Sequence, residues 1–183
     1  MQVKNKITDV TRQHIADEMQ LGKLWYHGSQ TEPDFLGRIF NLKSLPSKDS
    51  RYDNAYDDIY QHMVNNNDWD SDWLYSDPRI NLLHCEDDTY LKVLAMTVHP
   101  RVRIKPDEVS KLIEIYNRHL DADGFEVAQT DEISGKPVYS GRQKAIGQSH
   151  LTAKKVEIKK YLNTAYVNGK INTMTDAIHK DTT

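Results

Sequence analysis

Apolar positions along this chain recur mostly at helical spacing, and one short stretch alternates. Residues 8–21 predict a helix with Val10, Ile15, Met19 and Leu21 on its apolar face and Thr8 or Thr11 as its cap. A second helix is expected over 34–42, where Phe35, Leu36, Ile39, Phe40 and Leu42 form a dense stripe closed by Leu45-Pro46-Ser47. A third is expected from 49 to about 64, turning Tyr52, Ala55, Tyr56, Ile59 and Met63 inward. Asn65-Asn66-Asn67-Asp68 reads as a loop, because consecutive short polar side chains compete for backbone hydrogen bonds.

Residues 87–99 are apolar nearly all round and predict a buried helix stopped by Pro100. Pro106-Asp107-Glu108 opens another that runs to Leu120, since proline fits a first turn and acids suit the positive helix end. Residues 125–128 and 136–139 alternate as two strands joined across 131–135. From 152 to about 180 a long polar helix follows, with only Val156, Leu162, Ile171, Met174 and Ile178 as its stripe.

The fold class expected is therefore mainly α (α+β). A multi-helix domain over 1–147 carries one β-hairpin at about 125–140, and 148–183 forms a polar linker helix. So thin a stripe needs a partner. This helix is expected to pack back on the domain, to pair with another copy as a homodimer arm, or to lead toward a C-terminal module.

Composition narrows the partners. The 183 residues suit one domain with an appendage. A net charge of −3 and a pI near 6.2 exclude a strongly basic nucleic-acid binder, and the basic last third keeps nucleic acid open as a partner without indicating it. Cys85 is alone and the first 25 residues hold no apolar signal core. No apolar run approaches the roughly 18 residues of a membrane span. The expectation is a cytoplasmic protein without membrane contact.

The most unusual chemistry lies in 44–79. Between Asp49 and Asp77 stand eight aspartates and one arginine, Arg51, interleaved with Tyr52, Tyr56, Tyr60, Trp69, Trp73 and Tyr75. Aromatics in that number indicate a folded surface lined by acids, suited to a cationic or polar partner or to a metal ion. Asp68-x-Asp70-x-Asp72 begins like a calcium loop, but Trp73 replaces the turn glycine and Arg79 the bidentate glutamate. His84-Cys85-Glu86 lacks a second ligand pair at zinc spacing. Asp58 and His62 are four apart on one helical face. Arg101 and Arg103 would share one side of an extended segment, suiting an anion or balancing the acidic stretch.

Several ordered blocks carry a family resemblance. They are Ile7-Thr8-Asp9-Val10-Thr11-Arg12, the run from Phe35-Leu36 through Arg38-Ile39-Phe40 to Leu45-Pro46-Ser47, and Asp58-Ile59 with Gln61-His62, Asn65-Asn66 and Asp68-Trp69. Val98-His99-Pro100, Gly124-Phe125-Glu126 and Ile133-Ser134-Gly135-Lys136-Pro137 continue the series. Over about residues 6–143 the chain resembles the N-terminal domain of bacterial abortive-infection proteins of the AbiJ type. That resemblance implies antiphage defence, with an N-terminal domain that senses or regulates and a C-terminal module that acts.

Two functions are expected from these observations. The first is a non-catalytic module that binds a phage- or host-derived component and relays to a C-terminal or separate effector. Its ligand-binding face would comprise His62, Asn65, Asn66, Asp68, Trp69, Asp72, Trp73, Arg101 and Arg103, with no catalytic residue, metal or cofactor assigned. The alternative is a metal-dependent nuclease toxin, with Asp58, His62, Asp68 and Asp72 on the metal and Arg101 and Arg103 on phosphate.

Overall fold

A computed structural model describes residues 6–144, nearly all within one unit, Met1–Gln143. The expected helix over 152–180 and the expected domain boundary at 147/148 lie outside the described residues. Among the described residues the architecture is mainly α, with six α-helices and one antiparallel hairpin. No helix there is long and apolar enough to cross a membrane.

Helix α1 (Asp9–Leu21) is capped by Thr8, whose hydroxyl accepts from the Thr11 amide. Ile15 and Met19 are buried as expected, but Val10 and Leu21 are exposed. Arg12 is fully buried instead. Its guanidinium lies 4.5 Å from the centre of the Tyr90 ring and donates to the carbonyls of Leu82 and Cys85 and to Asp87 Oδ1. Two carbonyls and a carboxylate thus receive a charge that would otherwise oppose burial.

The second helix is shorter than expected. Helix α2 (Glu32–Leu36) ends at Gly37, where the amides of Arg38 and Ile39 bond back three residues to Phe35 and Leu36 and tighten the chain into turns. Leu42–Ser44 adds one 3-10 turn, and Phe35, Leu36 and Leu42 reach the core all the same.

The third differs most. Residues 49–54 form turns rather than helix, because Asp49 accepts the Arg51 amide and Asn54 caps the chain five residues on by accepting from Asp57. Helix α3 (Ala55–Ile59) then passes into a π-helical stretch, Tyr60–Asn66, closed by Asn67 at φ 51°. Residues 65 and 66, expected in a loop, therefore belong to the wide turn. Tyr52 stays outside the core, whereas Asp58 is fully buried beside Ala55 and Ile59.

Helix α4 (Trp73–Ser76) precedes α5 (Asp87–Thr97) and α6 (Pro106–Leu120), the last with its proline and acids in the first turn as expected. Strands β1 (Phe125–Ile133) and β2 (Lys136–Gln143) are longer than the alternation suggested. Their connection is only Ser134 and Gly135, both at positive φ, the conformation that matches strand twist in a two-residue hairpin. Helix α1 packs on α6, α6 on β1 and α5 on β2. Asn117 fixes the α6–β1 contact by bonding both the amide and the carbonyl of Val127.

Candidate functional site

Two polar segments, the turn before α3 and the chain from Asp68 to Asp77, enclose a hollow of about 740 Å³ with α3 and the π-helical turn behind it. Its lining includes Lys48, Asp49, Asp58, His62, Asp68, Trp69, Asp70, Asp72, Trp73 and Asp77. Local chemistry aims these side chains. Asp58 sits on the inward face of α3 because Asn54 sets the start of that helix, and the π-helical winding places His62 one turn later over the hollow.

His62 is the centre of the site. Its ring stacks on Trp69 with centroids 4.7 Å apart and planes 8° from parallel, and Trp69 in turn meets Trp73 at 5.1 Å. Nδ1 lies 2.7 Å from Asp68 Oδ1. A carboxylate only accepts, so Nδ1 carries the hydrogen. That bond, seconded by Asn66, holds the Asp68 carboxyl below its ordinary value. The other ring nitrogen, Nε2, stands 3.4 Å from Asp49 Oδ2 and 3.6 Å from Asp58 Oδ1.

Arginines hold the carboxylates from behind. Arg51 donates through side chain and backbone to Asp49 and keeps that carboxyl well below the usual range. Arg79 bonds Asp58 Oδ2 at 2.6 Å and Asp77 Oδ2 at 2.8 Å. Burial alone would push Asp77 up, but the Arg79 bonds, joined by Lys48, outweigh it and bring its pKa to about 2. Burial also works against the Arg79 charge, and the bonds to Asp77 and Asp58 more than offset it.

The expected ligand-binding set is only partly gathered here. His62, Asp68, Trp69, Asp72 and Trp73 line the hollow, though Trp73 is 8% exposed and serves the core, its Nε1 donating to Glu32 at 3.3 Å. Asn65 and Asn66 lie outside it, bonded to Gln61, with Asn66 also donating to Asp68. Arg101 and Arg103 are elsewhere and do not share a side. Residues 101–102 form a turn, so Arg101 is exposed while Arg103 is buried against the carbonyls of Thr97 and Trp25 and against Glu108. Arg103 thus commits Nε, Nη1 and Nη2 to Thr97, Glu108 and Trp25 within the fold.

The metal set of the nuclease alternative also fails to form. Asp58, His62, Asp68 and Asp72 share the hollow, yet among the described residues no group of three or more His, Cys, Asp or Glu is arranged to hold a metal ion. Sequence reading missed Lys48, Asp49 and Asp77 as lining residues. Only the acidity of the stretch pointed toward the two aspartates, since turns rather than one helix bring them round.

A family model, AbiJ N-terminal domain 3, matches residues 6–141. No curated protein and no solved structure matches the chain.

Proposed function

The chain belongs to the AbiJ N-terminal domain 3 family, which ties it to abortive-infection phage defence, and from that premise we propose that it is a non-catalytic sensing and regulatory module. It binds a phage- or host-derived component in the acidic hollow and passes the occupied state to an effector, carried C-terminally or on a separate chain. The observation that carries this reading is the convergence of His62, stacked on Trp69, with Asp49, Asp58 and Asp68 at a hollow large enough for a small ligand or a side chain. Loop and turn residues on a helical scaffold are a usual setting for recognition. Signalling requires only that the ligand bind one state of the protein more tightly than another.

An infection assay tests it. Cells would carry the 183-residue chain alone or extended by a C-terminal abortive-infection module, each with wild-type sequence or Trp69→Ala. The expected result is protection by the extended wild type, loss of it in the extended Trp69→Ala protein, and silence from the short chain. Protection or toxicity from the short chain alone would place effector activity within it and overturn the reading.

A further inference from the structure

Acidity alone would make this hollow an ordinary solvated surface, but one buried atom sets it apart. Asp58 is fully buried, and its Oδ2 accepts from Arg79 Nη1 and from the Lys48 amide. Its Oδ1 has no hydrogen-bond partner. That oxygen faces His62 Nε2, which Asp49 Oδ2 also approaches. With the Nδ1 hydrogen given to Asp68, a neutral His62 presents a lone pair at Nε2. In that neutral form three acceptors face one another without a donor between them, and the unsatisfied buried oxygen of Asp58 is a standing cost that a donor would relieve.

Charge selects the kind of donor. Six aspartates line the hollow beside Lys48, and Arg51 and Arg79 are bonded to them, which leaves a surplus of three negative charges with His62 neutral. Asp70 and Asp72 are exposed and have no ion pair among the described residues. A metal ion would have to share Asp49 and Asp58 with guanidinium groups already in place. A hydrogen-bond donor needs only a lone pair and leaves both arginine pairs in place.

Resting on the reading of the hollow as the ligand site, we propose that it binds an organic cation bearing several N–H donors, a guanidinium or alkylammonium group. One N–H enters the gap among His62 Nε2, Asp49 Oδ2 and Asp58 Oδ1, and the positive charge is balanced by Asp70 and Asp72 at the rim. The group belongs to a basic side chain of a polypeptide or to a free polyamine.

Titration calorimetry of the 183-residue chain at low salt would use agmatine, spermidine and a short arginine-containing peptide, with Mn²⁺ and Zn²⁺ in parallel. Saturable binding of at least one organic cation is expected. A peptide that binds more tightly than agmatine identifies a polypeptide source, and spermidine as the tightest ligand identifies a free polyamine. His62→Phe keeps an aromatic ring against Trp69 but removes the Nε2 acceptor, and should weaken binding about tenfold or more. Asp70→Asn with Asp72→Asn alters only the exposed rim, leaves the Asp58–Arg79 pair intact, and should weaken binding roughly threefold to tenfold.

No binding of any organic cation to the folded chain would overturn the proposal. So would affinities unchanged in both variants, or saturable binding of Mn²⁺ or Zn²⁺ alone. The infection assay separates this failure from that of the sensing reading. If the His62→Phe extended protein loses protection although no organic cation binds, only the ligand class is wrong. If it protects like the wild type, the hollow is not the sensor.

Discussion

Asp58 and Arg79 form an ion pair at 2.6 Å in which the carboxylate is fully buried and the guanidinium side chain is 6% exposed. This pair ties α3 to the turn after α4 and so sets the rear wall of the hollow. Removing Arg79 strands the buried Asp58 carboxylate, at a cost of about 3–5 kcal/mol, whereas Arg79 without Asp58 still holds Asp77. Arg79→Met is expected to destabilise the chain on that scale in urea unfolding, and Asp58→Asn by less, about 1–3 kcal/mol. The double variant should recover part of the Arg79→Met loss, because no charge is then stranded at position 58, and a double-mutant cycle reads the coupling.

Asp77 makes the fold sensitive to acid. Its folded pKa of about 2 lies below the ordinary aspartate value of about 3.9, so its contribution is present above pH ~4 and is lost as pH falls toward 2. The Asp49 and Asp68 carboxyls shift in the same direction. Asp77→Asn should therefore lower stability at neutral pH and flatten the fall in stability between pH 4 and 2, measured as the urea midpoint across that range.

Glu32 titrates in the opposite sense. Burial pushes its carboxyl up, against hydrogen bonds donated by the Tyr26 hydroxyl and Trp73 Nε1. Stability from this group is complete below the unfolded value and declines as pH rises through the folded one. Trp73→Phe removes a donor from the carboxylate and is expected to cost about 1–3 kcal/mol at pH 7. The deficit should shrink as pH is lowered toward 4, where Glu32 takes up a proton. A deficit independent of pH would mean that the ring's packing, not its N–H, matters.

Gly141 lets β2 approach α5. A Cβ at that position would meet Leu91 Cβ at 2.5 Å, too close for any side chain. Gly141→Ala is expected to destabilise the chain by about 1–3 kcal/mol, as overpacking does. Far from the hollow, it should leave cation titration unchanged, which calorimetry on the folded fraction would check.

Much of the helical framework was legible because its cause is local. Pro106 with its following acids, the apolar density of 87–97 and the Thr8 cap each act within a turn or two of chain, and α6, α5 and α1 appear where those signals place them. The hairpin was legible in position but not in length. Beyond Ala128 strand β1 is exposed, so burial no longer marks its residues and only pairing with β2 defines it.

The acidic, aromatic character of 49–77 was evident from the residues alone, and so was the proximity of Asp58 to His62 at helical spacing. Which of those acids form a site was decided by the tertiary structure. Asp57 and Asp58 are neighbours of the same type, yet one is exposed and the other is buried on Arg79, a partner 21 residues away. Arg12 illustrates the same point, since its place inside depends on Leu82, Cys85 and Asp87, 70 to 75 residues on. Periodicity reports which face of an element is apolar. It cannot report which charges find a distant partner, because burying a charge depends on that partner and not on the charge's own neighbours.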